Sequence, residues 1–396
     1  MISAMNETSL PPERRRERAI ALVLQGGGAL GAFQVGAYRA LCERDLIPSW
    51  LAGTSIGAIN AAIIAGNEEV HAHERLEEFW RAISTPDPLA PPADFSDMRK
   101  LYSFWSAQHT ALTGQPNFFT PRPFPSLAIL PGEPGATSFY DTSPLRRTLE
   151  RLVDFDRINA REKRLSLGAV EVETGKTVYF DNHERKIGPE HVMASGALPP
   201  AFPPVAIEGA LYWDGGIVSN TPIEAMLHSP PEEDWLILVV DLWDPKGPAP
   251  KTLPEVESRL KDITYASRAT HHIDMFNHIS ELRALIDRLY RKLPANADDE
   301  GLWLQVQALG CPHAIDILHL VYEQAAFELA SKDYEFSRSS VERHLAEGYA
   351  QAHRLLEAHG WCAPAAEPGI VRIYESQPLP AAKPRPGRAR ARQKGE

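Results

Sequence analysis

The sequence has little of what a cross-linked, metal-bound or membrane-spanning chain requires. Its three cysteines among 396 residues, Cys42, Cys311 and Cys362, are odd in number and far apart. They form no CxxC pair, so neither a disulfide framework nor a structural zinc site is expected. Nowhere do 18 apolar residues run together, which argues against a transmembrane helix. Cations are in deficit as well: 41 Lys and Arg against 52 Asp and Glu leave a net charge of −11. Phosphate contacts need clustered positive charge, so no nucleic-acid partner is expected. The opening residues, MISAMNETSLPPERRRERAI, carry a basic run but no apolar stretch before Ile20, unlike a secretory signal. A cytoplasmic location is the simplest expectation.

Apolar residues, at 43%, are plentiful enough for a sizeable core, and 34 prolines predict long irregular connections. Residues 1–18 form a polar leader. Ala19 to Leu24 is a short apolar run ending at Gln25 and three glycines, the pattern of a buried strand entering a tight turn. A helix is predicted over Gly31 to Arg44, a strand over Trp50 to Gly53 and a second helix over Ser55 to Ala65. This βαβα order in about 50 residues is the mark of a parallel sheet. Leu76, Phe79, Trp80 and Ile83 predict one amphipathic helix. Residues 86–137, rich in Pro, Gly and aromatics, read as a long irregular segment. Its Leu101, Tyr102, Phe104, Trp105, Phe118, Phe119 and Phe124 either pack it onto the body or form a lid or an apolar seat.

Strand signals resume at Leu165 to Val172, Thr177 to Phe180 and Trp235 to Asp241. The last is a near-continuous apolar run suited to the centre of a parallel sheet. A body over 19–245 is therefore followed by a mainly helical extension over 246–377 and a basic, low-complexity tail over 378–396. Within the extension, Ile279, Leu282, Ile286 and Leu289 mark a helix and Ile315 to Tyr322 a strand. Ser339 and Glu342 predict a capping box for a helix that ends before Gly360.

Three short motifs carry chemistry. Gly53-Thr54-Ser55-Ile56-Gly57 is a G-x-S-x-G between strand and helix, where a sharp turn holds a serine hydroxyl clear of the backbone. The same pattern also suits an N-cap serine. Gly26-Gly27-Gly28-Ala29-Leu30-Gly31 formally satisfies G-x-G-x-x-G. Clustered N–H groups at such a turn suit an oxyanion hole, a merely tight turn, or a dinucleotide site. The nucleotide reading wants an acidic residue closing the second strand, and Gly-Thr-Ser-Ile-Gly stands there instead. The third motif, Trp213-Asp214-Gly215-Gly216, offers a carboxylate at a loop tip or only a turn. The 14 histidines supply no decisive base, and His271 and His272 are expected on a helix surface.

In this order, the motifs resemble the patatin-like phospholipase family from Ile20 to about Val240. Asp141-Thr142-Ser143-Pro144-Leu145 and Ala194-Ser195-Gly196-Ala197-Leu198-Pro199, running on to Phe202-Pro203-Pro204, add to the likeness. Lys332-Asp333-Tyr334-Glu335-Phe336-Ser337, within residues 255–360, resembles the C-terminal extension of a bacterial subgroup. The resemblance implies an α/β, three-layer fold around a mostly parallel sheet. It also implies a lipid acyl hydrolase with a Ser55–Asp214 dyad, with no metal or other cofactor. Backbone N–H groups from Gly26 to Ala29, Gly27 and Gly28 foremost, would hold the oxyanion. One departure is Leu30, where many members carry Arg or Lys, and it leans toward a non-catalytic lipid-binding or scaffold alternative. The partners implied are a lipid acyl ester and, through the basic tail, transient contact with a membrane surface.

Overall fold

The structure is a computed structural model. It describes residues 18–88, 90–91, 96–123, 130, 135–227, 233–290, 292, 313–325, 327–358, 361 and 371–375. Residues 1–17 of the leader, the basic tail, Phe124, Cys311, Gly360 and Cys362 lie outside the described residues, and Arg18, the leader's last residue, opens β1.

The first half runs β1 (Arg18–Leu24), α1 (Ala32–Cys42), β2 (Trp50–Thr54), α2 (Ile56–Ala65), α3 (Glu69–Ala82) and α4 (Ser96–Thr113). Then come β3 (Thr120–Pro121), β4 (Tyr140–Asp141), α5 (Ser143–Leu152), α6 (Phe155–Asn159), β5 (Arg164–Glu171) and β6 (Thr177–Asp181). Next follow α7 (Pro189–Ser195), β7 (Val205–Ile207), β8 (Ala210–Asp214), α8 (Glu224–Leu227) and β9 (Asp234–Asp241). The chain closes with α9 (Leu253–Tyr290), β10 (Ile315–Val321), α10 (Arg338–Glu357) and β11 (Val371–Glu375).

Nine of the described strands make one sheet in the order β11-β10-β9-β1-β2-β5-β8-β7, with β6 on β5. From β11 to β5 all neighbours are parallel, while β6 and β8 run antiparallel to β5. The α/β fold with a mostly parallel sheet is therefore as the sequence implies. Alternate residues of each strand serve opposite faces. Leu22, Leu24, Leu238 and Val240 join the large core under the helices, and Ala21, Val23, Ile237 and Val239 join a smaller cluster with Ile223 and Met226. Each large aliphatic side chain so buried contributes about 2 kcal/mol.

Residues past Pro245 belong to the same sheet, since β10 pairs in parallel with β9 and β11 with β10. Helix α10 also lies on α1 with backbones almost touching. A Cβ on Gly36 would overlap the Leu345 carbonyl oxygen, and one on Gly348 would overlap that of Phe33.

Two expectations are corrected. The stretch over 86–137 contains α4, a helix of 18 residues. Its inward face is Arg99, Ser103, Ala107 and Thr110, polar or small, whereas Met98, Leu101, Trp105 and Leu112 are exposed. Apolar periodicity therefore pointed nowhere useful. The cap of α10 is Ser337, whose hydroxyl accepts from the Ser340 N–H at 3.4 Å. Ser339 instead gives its N–H to Asp87 at 3.0 Å.

Candidate active site

Strand β2 ends at Thr54, and Ser55 turns the chain into α2 with φ 57° and ψ −124°. A side chain held in this sparsely populated region costs on the order of 1–3 kcal/mol. Close packing enforces the turn. A Cβ on Gly53 would overlap the Gly57 carbonyl oxygen, and one on Gly57 would overlap that of Leu24. The Ser55 N–H, which a helix start leaves without an intrahelical acceptor, donates to both the carbonyl and the hydroxyl of Ser195 at 3.1 Å. The Ser195 hydroxyl in turn donates to the Gly168 carbonyl at 2.5 Å, so the elbow is pinned to α7 and β5.

Asp214 closes β8 and is buried. Its Oδ1 accepts from the Gly216 N–H at 2.7 Å. Burial pushes its carboxyl up to about 7, against the neighbouring Ser55 side chain and the Gly216 N–H, which favour the carboxylate. Gly215 lies against the Gly168 carbonyl and the Thr54 side chain, with room for no Cβ. Ser55 and Asp214 are thus neighbours across 159 residues of sequence separation, and both line one cavity.

The glycine loop forms the adjoining wall. Gly26 lies so close to Ser55 that a Cβ there would be 3.0 Å from the serine Cβ. Its N–H, however, donates to the Asn220 carbonyl at 3.2 Å. Gly26 therefore leaves the set of expected oxyanion donors. Its own carbonyl accepts from Asn220 Nδ2 at 2.9 Å and Trp243 Nε1 at 2.8 Å. Among the described residues no protein acceptor faces the N–H groups of Gly27, Gly28 or Ala29. Gly27 and Gly28 line the cavity, while Ala29 is buried in the core. Gly31 packs against Ile56 and Trp80, and Leu30 is fully buried, so a cation there would face the core rather than a ligand.

Asn220, Trp243 and Ser195 are the site residues that sequence reasoning left without a role. Ser195 lies in a quoted family block. Asn220 and Trp243 act on the loop backbone from distant elements, and no local signal announces that. Gln25 extends the support. Its Oε1 accepts from the N–H groups of Leu242 and Trp243, and its Nε2 donates to Thr221 at 2.9 Å. Thr221 donates to Asp241 at 2.8 Å, and Asp241 is paired with the buried His319 at 2.7 Å.

The cavity has a volume of about 280 Å³, and its walls are mostly apolar, with Thr110 and Asp333 among the polar residues away from Ser55. Phe118, Phe119, Tyr140 and Phe202 gather with ring centroids 4.8–6.2 Å apart. Of the aromatics expected in a loop, Phe118 and Phe119 thus face the cavity and pack the body at once. Leu101, Phe104 and Trp105 are exposed. No histidine lines the cavity among the described residues, and His271 is exposed on α9. The His272 side chain lies outside the described residues.

Comparison with known proteins matches residues 22–227 to the model of the patatin-like phospholipase family. Residues 263–367 match a second model described as patatin phospholipase. The chain is 32% identical over 88 residues to a triacylglycerol lipase of Arabidopsis thaliana, covering 22% of this chain and 10% of that protein. It is 24% identical over 346 residues to an uncharacterised NTE family protein of Mycobacterium bovis, covering 83% and 81%. To the lysophospholipase nte1 of Aspergillus terreus it is 20% identical over 356 residues, covering 83% of this chain and 20% of that one. The chain thus spans only a tenth of the plant lipase and a fifth of the fungal enzyme. Among solved structures, VipD from Legionella pneumophila aligns with a TM-score of 0.35 and 16% identity, covering 89% of this chain and 68% of that one. With the first family model spanning just over half of its residues, the chain belongs to the patatin-like phospholipase family.

Proposed function

We propose that this protein is a lipid acyl hydrolase working through a Ser55–Asp214 dyad. The observation that carries the reading is a buried carboxyl, pushed up to about 7, beside an elbow serine at one end of a mostly apolar cavity. A base poised near neutrality suits proton abstraction at physiological pH. Ser55 Oγ attacks the acyl carbonyl as Asp214 takes its proton, and the N–H groups of Gly27 and Gly28 receive the oxyanion. Collapse expels the alcohol, which recovers the proton from Asp214 and leaves an acyl ester on Ser55. Water then gives its proton to Asp214 and attacks that ester. The fatty acid leaves and the proton returns to Ser55. No cofactor is needed for any of these steps.

Fluorophosphonate labelling tests the nucleophile without knowledge of the substrate. The adduct should map to Ser55 and vanish in Ser55→Ala, with hydrolysis of acyl esters lost in parallel. A folded protein that takes no label and turns over no ester would instead support the lipid-binding or scaffold reading.

Access to substrate would come from transient membrane contact. No described helix is long and apolar enough to cross a membrane. However, α4 exposes Met98, Leu101, Trp105 and Leu112, while its Thr110 and Ala111 line the cavity. Spacings of three, four and seven place the exposed four along one side of the helix. Co-sedimentation with phosphatidylcholine vesicles should weaken in Leu101→Glu/Trp105→Glu, and unchanged binding would remove α4 from this role.

A further inference from the structure

One wall of the cavity comes from far outside residues 22–227, in the stretch over 263–367 that the second family model matches. Asp333, Tyr334 and Phe336 line it, and they lie between β10 and α10. Lys332–Tyr334 form a single 3-10 turn that packs on the 3-10 turn Gly28–Gly31 of the glycine loop. The Asp333 carbonyl rests on Gly28, leaving no room for a Cβ.

The segment is tethered at four of its residues, Lys332, Asp333, Glu335 and Phe336. Lys332 Nζ donates to Asp262 Oδ1 at 2.6 Å and to Gln324 Oε1 at 2.9 Å, and lies 5.0 Å from the Trp243 ring centroid. The Asp333 carboxylate is paired with Lys261 at 2.7 and 2.8 Å. Glu335 accepts from Ser106 of α4 at 2.6 Å and from the Ser337 N–H at 3.0 Å. The Phe336 carbonyl accepts from the Thr85 N–H at 2.9 Å. Charged side chains hold the segment from outside, and the two aromatics turn inward. Phe336 is buried with its ring 5.9 Å from Phe118, and so joins the cluster of Phe119, Tyr140 and Phe202. Tyr334 is half-buried beside it.

We propose that Tyr334 and Phe336 are the specificity-determining wall of the cavity, setting how long an acyl chain it accepts. This rests on the reading above that the cavity takes an acyl chain. A wall built from rings is stiff, because an aromatic side chain has only two rotatable bonds, and the Phe336 ring is locked edge to face on Phe118. Its anchors also reach Asp262 on α9, Ser106 on α4 and Gly28, so chain length and the geometry of the glycine loop are fixed by the same strap.

The test is displacement of a fluorescent fatty acid by saturated fatty acids of graded length, which requires no catalysis. Phe336→Ala and Tyr334→Ala are compared with wild type, with folding verified by circular dichroism and thermal melting. Each methylene newly accommodated should tighten binding roughly fourfold. The preferred length should therefore move upward in the variants while short acids bind as before. Tyr334→Ala, at a half-exposed position, keeps the test available if Phe336→Ala does not fold. An unchanged preferred length in a folded variant overturns the proposal, as does failure of the wild type to bind any fatty acid. Hydrolysis of esters of the same acids is measured separately. A length shift in binding without turnover or fluorophosphonate labelling would retain the wall and reject the hydrolase.

Discussion

Thr54 and Asp214 stand opposite consecutive residues of β5, Gly168 and Ala169. One edge of β5 pairs with β6, so β2 and β8 must share the other. Strand β2 occupies it as far as Gly168, and β8 arrives from the opposite direction to end at Ala169. The two strands meet head to head, and each delivers a member of the proposed dyad at the junction, Ser55 just after Thr54 and Asp214 itself. Small residues permit the meeting, since Gly168, Gly215 and Thr54 are mutually in contact there. Ligands of open α/β sheets gather at the carboxyl ends of the parallel strands, and this junction lies at such an end.

A base with its carboxyl near 7 gives the acylation step a definite pH dependence. Protonated Asp214 cannot accept the Ser55 proton, so single-turnover release of nitrophenol from a nitrophenyl ester should rise tenfold per pH unit below 7 and level off above it. Asp214→Asn should reduce the plateau by about a hundredfold or more, as loss of a general base does. A profile already level from pH 5 upward would mean that Asp214 is not the titrating base.

The same burial makes Asp214 costly to the fold. Its carboxyl titrates near 3.8 when exposed and near 7 in the folded chain. The folded state then holds the proton more tightly, so the penalty is absent below pH 3.8, grows between the two values and is complete above 7. Its upper size is about 4 kcal/mol. Asp214→Asn keeps an acceptor for the Gly216 N–H and removes the charge. It should therefore raise the melting temperature at pH 8 and leave it nearly unchanged at pH 4. A gain of equal size at both pH values would point to packing instead.

Much of this architecture is legible in the sequence because it is local. Ala19 to Leu24, Trp50 to Gly53 and Trp235 to Asp241 are short apolar runs closed by glycine or by a polar break, and each forms the strand expected. What escapes is set by partners distant in sequence. Helix α4 hides behind an inward face of Arg99 and Ser103, where Arg99 donates to the Ser339 and Ser340 hydroxyls and apolar burial is slight. Gly26 reads as an oxyanion donor until Asn220 is seen to accept its N–H. The polar spacing of Lys332 to Ser337 gives no hint that two of its rings wall a cavity built mainly from residues more than 100 positions earlier.

Gly28 bears two constraints at once. Its φ is +54°, and a Cβ would overlap the Asp333 carbonyl oxygen. Gly28→Ala must therefore move either the loop or the strap, displacing the N–H groups assigned to the oxyanion. Turnover of activated esters should fall by about two orders of magnitude, the usual loss when an oxyanion donor is removed. The fluorophosphonate adduct should slow in parallel. Near wild-type turnover would exclude this loop from the reaction.

Lys332 and Asp262 form a buried pair, with side chains 2% and 9% exposed and 2.6 Å between Nζ and Oδ1. Two charges taken from water are favourable only together, so the partners should not tolerate separation. Lys332→Met leaves a carboxylate buried without its cation, and Asp262→Leu leaves an ammonium so placed. Each should lose about 3–5 kcal/mol of stability in urea unfolding. The double variant replaces the pair with apolar groups of similar volume and should recover most of that loss. If instead the cation acts mainly on the Trp243 ring, 5.0 Å away, Asp262→Leu alone should be mild and the two losses should add. The cycle thus separates an ion pair that anchors the strap from a cation held by an aromatic face. Since the strap bears on Gly28, the ion-pair outcome also requires esterase turnover to fall in each single variant and to return in the double.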